Sequence, residues 1–284
     1  MSRPRVPAEL QDHIVDLLHD KKDALESCCL ISKSWVSRTR KHLFADITFR
    51  TPENVWSWKT TFSNPSVSPA RYARSLLVRC PRAVTAADAE EGGWISTFSY
   101  VERFAVDIEG QDDYKRLVAF HGFSPAIKSL QLVTFFVPPP PHIFNLILSF
   151  PLLEDLSVTA WDHDLVVVDD DLDGKPAKIQ SSSPPVLTGS LELSMSCEMH
   201  HIVPRLFSLS NGLRFRKLDV SWVHDDDILS TGELVGMCSS TLESLSINNS
   251  FEGMSDLYSC LHTGDGRLQR NCCQVRWTFR GQRN

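Results

Sequence analysis

Four things are scarce in this chain of 284 residues, and each scarcity excludes a class of protein. Positive charge is short: 29 basic residues face 35 acidic ones, so no global field exists to hold a nucleic-acid backbone. Long apolar runs are missing too. The best stretch, 135–153, is interrupted by Pro138 to Pro141, His142, Asn145 and Pro151, which predicts no membrane span, and the first residues lack the apolar core of a signal peptide. The 8 cysteines follow no framework spacing, which predicts a reduced compartment, cytoplasmic and/or nuclear. Nucleophile elbows, phosphate-cradling glycine loops and zinc-protease helices are all absent, so no catalytic residue and no cofactor is assigned.

What is present is an ordinary globular composition, 42% hydrophobic and 23% charged, which predicts a packed fold. Residues 7–18 place Leu10, Ile14, Leu17 and Leu18 at helical spacing behind Pro7, and Glu9 favours the same helix start. Asp23 with Glu26 suggests a capping box ahead of Leu25, Cys28 and Cys29. Ser32 can cap a third helix with Trp35, Val36, Thr39, Leu43 and Phe44 inward and Arg38, Arg40 and Lys41 toward its end. Three helices in about forty residues bury too little surface to stand alone, so the module is expected to dock onto something.

Beyond it one pattern recurs: apolar-x-x-apolar-x-apolar, with central residues Leu76, Phe104, Leu130, Leu156, Leu191, Leu218 and Leu245. The steps between them are 28, 26, 26, 35, 27 and 27, and the long step holds the polar stretch 162–185, read as an insertion. A further copy, Phe44-Ala-Asp-Ile47-Thr-Phe49, precedes Leu76 by 29. The last two apolar residues of each copy have the period of a half-buried strand. Helix-compatible segments lie between copies at 52–62, 86–96, 112–120, 141–149, 199–210, 226–238 and 254–262. Strand and helix alternating at a fixed period predict coils that stack because none can bury its apolar face alone. A doubly wound sheet is the structural alternative, but it has no reason to keep a constant register.

The residues Val6-Pro7-Ala8-Glu9-Leu10, Ile14, Leu17, Leu25, Cys28, Leu30, Ser32-Lys33-Ser34-Trp35 and Leu43-Phe44 resemble an F-box over about residues 4–49. The repeats resemble the degenerate leucine-rich repeats that often follow one. The expected class is thus α/β, a short N-terminal three-helix F-box (1–50) followed by a leucine-rich-repeat-like solenoid (51–262), then a basic tail (263–284) with five arginines against one aspartate. The tail is expected to be disordered or a terminal strand, although Val275 to Trp277 could begin another copy.

The resemblance implies a substrate-recognition subunit that binds a Skp-type adaptor, and through it a cullin, using Val6, Pro7, Leu10, Ile14, Leu17, Leu25, Cys28, Leu30 and Trp35. The alternative is a non-catalytic scaffold that binds the adaptor without directing ubiquitin transfer. An unknown protein substrate would meet the outward strand positions Arg79, Arg103, Asp107, Gln131, Asp155, Glu192, Lys217, Asp219 and Asn248. Two metal-like patterns fail. Asp169-x-Asp171-x-Asp173-Gly174 has calcium-loop spacing but ends in Gln180 where a bidentate carboxylate is required, and Cys197 with His200 and His201 lacks partner ligands.

Overall fold

The computed structural model describes residues 7–88, 90, 93–134, 140–160, 185–195, 199–207, 213–221, 228–248, 266–271 and 274–279. It opens with helices α1 (Ala8–Leu17), α2 (Lys22–Ile31) and α3 (Lys33–Leu43). Ser32 caps α3 by accepting from the Ser34 amide, and Arg40, Lys41 and His42 occupy its last turn, complementing the helix dipole. Asp23 does not cap α2: the helix starts one residue earlier, so Asp23 lies in the first turn, where it still favours the dipole.

The sheet begins at once, so residues 46–49 of the expected F-box segment belong to it. Strands β1 (Asp46–Phe49), β2 (Ser75–Val78), β3 (Arg103–Ile108), β4 (Ser129–Thr134), β5 (Asp155–Ala160), β6 (Ser190–Met195), β7 (Lys217–Ser221) and β8 (Ser244–Asn248) run parallel, each beside its chain neighbours. A doubly wound sheet would reverse strand order partway, and this order never reverses. After β8 come β9 (Gly266–Asn271) and β10 (Gln274–Phe279), a hairpin whose β10 pairs antiparallel with β8. Val275 to Trp277 therefore does not add another parallel copy.

One transverse row contains Ile47, Leu76, Phe104, Leu130, Leu156, Leu191, Leu218 and Leu245 in direct register. All eight are buried, and a second buried row runs from Phe49 and Val78 to Val220 and Ile247. Two such rows on one face of a parallel sheet make a single continuous core. The first apolar position of each copy is buried as well, except that Phe44 of the entry copy is half-buried and the copy after the insertion departs from the pattern. In the coil after the insertion it is Leu187 that fills the place, while Thr188 stays half-buried.

Coils are joined at the strand starts by a repeated hydrogen-bond device. The Ala45 carbonyl accepts from the Arg74 and Ser75 amides, Arg74 from Glu102 and Arg103, Glu102 from Lys128 and Ser129, and Lys128 from Glu154 and Asp155. Gly189 and Arg216 repeat it further along. Each carbonyl thus accepts two backbone hydrogen bonds, which ties each strand start to the next.

Returns from strand to strand vary. Pro52 at the first turn and a capping box between Thr51 and Asn54 start α4 (Pro52–Thr61), and α5 (Gln111–Arg116), α6 (Pro140–Leu148), α7 (Met199–Phe207) and α8 (Ile228–Cys238) follow. The expected helix at 86–96 is replaced by 3-10 turns at Ala86–Asp88 and Ile95–Thr97. There the Asp88 carboxylate takes the Thr85 amide and hydroxyl and the Lys59 ammonium, and a Cβ on Gly93 would lie 2.3 Å from the Asp88 carbonyl oxygen. The chain folds back too tightly for a helix. The segment 254–262 and the insertion 162–185 fall outside the described residues, except for Pro185.

Candidate interaction surfaces

The three N-terminal helices have a small interior and, on an otherwise polar exterior, several exposed apolar side chains. Val15, Leu25, Cys28 and Thr39 are buried among them, yet none joins the continuous core of the sheet; Phe44, after α3, packs against that core. A polar seam joins α1 to α3. Trp35 Nε1 donates to Gln11 Oε1 at 2.7 Å, Arg38 Nε donates to Asp16 Oδ1 at 2.7 Å with a second guanidinium bond to Oδ2, and His42 Nε2 lies 2.7 Å from Asp16 Oδ1. The Arg38 guanidinium first, and His42 second, hold the Asp16 carboxyl well below the usual carboxylate range.

Because the seam faces α3, the apolar stripe of α1 faces solvent. Leu10 is 55% exposed and Leu17 64%, with Ile14 between them, and Leu30 at the end of α2 is 89% exposed beside an exposed Ile31. Leu10, Ile14 and Leu17 share one helix face by spacing, as the sequence indicates. Two of the expected adaptor contacts are corrected by burial: Leu25, at 0% exposure, and Cys28 are interior side chains that hold α2 in place. Trp35 is half-buried and orients α1 through Gln11, whereas Pro7 is exposed and Val6 lies outside the described residues. Ile31 was not expected; its adjacency to Leu30 was the available signal.

The second surface is the outward face of the sheet. Its expected residues separate into two groups. In the first strands charges are paired across the sheet: Arg103 Nη2 to Asp46 Oδ1 at 3.1 Å, and Arg79 Nε to Asp107 Oδ2 at 3.3 Å. Burial pushes the Asp107 carboxyl up, against the lowering effect of Arg79. Beyond β4, Gln131, Glu192, Lys217, Asp219 and Asn248 are exposed. Asp155 is half-buried and bonded within the sheet. Its Oδ1 accepts from the Ser190 amide at 2.6 Å and hydroxyl at 2.7 Å, and a Cβ on Gly189 would lie 2.2 Å from it. This carboxylate joins the start of β5 to the start of β6.

No group of three metal-ligating side chains occurs among the described residues; the acidic stretch 169–180 and Cys197 lie outside them. Among the described residues no helix is long and apolar enough to cross a membrane. The described cysteines, Cys28, Cys29, Cys80 and Cys238, are free thiols, three of them buried.

The fold and these two surfaces define an α/β protein with a sequentially ordered parallel sheet, preceded by a helical unit that exposes an apolar stripe. No protein-family model and no curated protein matches the chain.

Proposed function

We propose that this chain is a non-catalytic receptor subunit of a Skp-cullin-F-box type ubiquitin ligase. Helices α1 to α3 dock a Skp-type adaptor, and the sheet, as the strand layer of a degenerate leucine-rich-repeat solenoid, holds a target protein on its outward face. The observation that carries the reading is the solvent-facing stripe Leu10, Ile14 and Leu17 with Leu30 and Ile31, on a unit whose own interior is small. Exposed apolar side chains concentrated on so short a segment mark an interaction site. The sequential strand order and single register support the solenoid half of the reading. The mechanism is positional: holding a target beside a transfer enzyme raises its effective concentration, with the chemistry left to other subunits.

The test is co-purification with a recombinant adaptor. Leu10→Asp, on an exposed position, leaves the melting temperature unchanged and abolishes adaptor capture, because the charge would have to be desolvated at the interface. Equal capture by the variant overturns the assignment. Cullin in the same wild-type complex supports a ligase, and its reproducible absence supports a scaffold that uses the adaptor for another purpose.

A further inference from the structure

We propose that the outer edge of β9 takes up an extended acidic segment of a partner protein by strand addition, with two carboxylates of that segment opposite Arg267 and Arg270. The inference goes beyond the receptor reading and does not depend on it. β9 ends the ten-stranded order, and among the described strands it pairs with β10 alone. Its six residues therefore present, beyond that pairing, a row of backbone donors and acceptors to which an extended peptide can add.

Register fixes what such a peptide meets. Through β10, Leu268 falls on the row of Leu245 and Arg270 on the row of Ile247, the two core-side rows, while Arg267 and Gln269 fall on the rows of Ser244 and Ser246. β10 contains no carboxylate, so neither arginine of β9 has an acid at its register position. Residues 263–284 as a whole hold five arginines against one aspartate. Opposite charges directly across a strand pair are favourable, and acids three residues apart place one against each arginine, on alternate faces. An apolar residue opposite Leu268 continues the row of Leu245. The sequence that fits is thus acid, polar, apolar, acid for an antiparallel strand, and its reverse for a parallel one.

A second copy of this chain is a poorer occupant. Fully overlapped antiparallel pairing of two β9 strands would set Arg267 opposite Arg270 twice, and like charges directly opposite destabilise a strand pair. Charge on an edge strand guards against such self-pairing. The same charge favours a strand of opposite sign.

The experiment uses the full chain and fluorescent peptides carrying Glu-Thr-Val-Glu or Glu-Val-Thr-Glu between Gly-Ser arms, read by anisotropy. One of the two binds, and its glutamine version binds at least about tenfold more weakly. Arg267→Glu with Arg270→Glu weakens the acidic peptide by a similar factor and binds the matching lysine peptide more tightly than the wild type does, a gain that no folding defect produces. Reversal at the remote exposed positions, Arg50→Glu with Arg82→Glu, has no effect. Strand addition uses the amides of alternate peptide residues, so N-methylation in one phase abolishes binding and in the other leaves it intact. Equal binding of both methylated peptides, equal binding of the glutamine peptide, or equal weakening by the control pair overturns the proposal. So does a concentration-dependent dimer that the β9 double variant abolishes, since a second copy would then be the occupant.

Discussion

Phe104→Ala probes the register that organises the whole sheet. Phe104 occupies a row otherwise held by Ile47 and leucines, is almost fully buried, and has ring centroids 5.1 Å from Phe120, 5.1 Å from Phe123 and 6.3 Å from Phe150. A buried phenylalanine covers about 150 Å² or more, which at about 25 cal/mol per Å² gives roughly 4 kcal/mol. That agrees with the roughly 3 to 5 kcal/mol observed for such truncations once the residual cavity is included. At roughly 2 to 4 °C per kcal/mol for a domain of this size, the melting temperature falls by about 8 to 16 °C. Phe104→Leu supplies the residue used at the equivalent place in β2, β4 and β5, retains most of the volume, and costs about 1 to 1.5 kcal/mol, chiefly through the lost ring pairs. Gln131→Ala, exposed on β4, costs under about 0.5 kcal/mol. Urea denaturation followed by circular dichroism and by fluorescence of the buried Trp94 provides the assay and tests two-state behaviour. If alanine at 104 cost no more than alanine at 131, the row would not be a core row and the repeat register would fall.

Asp155→Ala leaves the Ser190 amide and hydroxyl without their acceptor and costs roughly 1 to 3 kcal/mol, with faster amide exchange at Ser190 as the local readout; unchanged exchange would refute the joining role. Gly189→Ala destabilises through its clash with that same carboxylate, so the double variant costs less than the two single effects added, and strict additivity would contradict the contact. Asp16→Asn loses the Arg38 and His42 bonds, and because the carboxylate is more than one-third exposed, solvent screening keeps the loss of stability small. The native carboxyl is depressed, so the wild-type advantage is whole above the ordinary carboxylate range of about pH 4 to 5 and is lost as pH falls below it; an advantage that grew on acidification would be the wrong sign. In thiol labelling at about pH 8 mapped by mass spectrometry, half-buried Cys29 reacts while buried Cys80, pushed up to about 11 by desolvation, stays unmodified; rapid native labelling of Cys80 would contradict its burial.

The register was legible because a strand that buries one face must place apolar residues two apart, and coils that stack must repeat that placement at a near-constant step. The central residues 76, 104, 130, 156, 191, 218 and 245 consequently fall in one row, and the long step before Leu191 is absorbed without a slip. Helical spacing carries less. It shows that Leu10, Ile14 and Leu17 share a face, but the direction of that face is decided by Gln11 and Asp16 reaching α3, a long-range pairing with no local signature. Asp155 is a similar case. It looks like any outward strand residue until the insertion returns the chain as Gly189-Ser190 directly beside it. The segment 86–96 is helix-compatible by sequence, but the bonds of the Asp88 carboxylate to Thr85 and Lys59 favour tight turns there.

Charge arrangement at the strand starts keeps like charges of neighbouring coils from stacking. The residues two before each row position are Arg74, Glu102, Lys128, Glu154, Gly189, Arg216 and Glu243, so sign alternates from coil to coil except where glycine intervenes. Coils are about 4.8 Å apart, and like charges repeated at that spacing would repel along the whole stack. Alternation turns the same crowding into attraction, seen in the Arg74 to Glu102 contact at 3.7 Å and the Arg216 to Glu243 contact at 3.9 Å. Each pair is exposed and contributes little stability by itself. Its larger effect is to cancel the rim's field, since opposite charges this close leave little potential beyond a Debye length of about 8 Å. One position inward the pattern becomes Asp46, Ser75, Arg103, Ser129, Asp155, Ser190, Lys217 and Ser244, again opposite in sign at alternate coils, with Asp46 and Arg103 bonded across the intervening serine. The next inward row breaks the rule. There Glu192 and Asp219 are adjacent and of one sign, directly in register. Both side chains are exposed, so solvent and salt screen the repulsion between them and the stack tolerates the break.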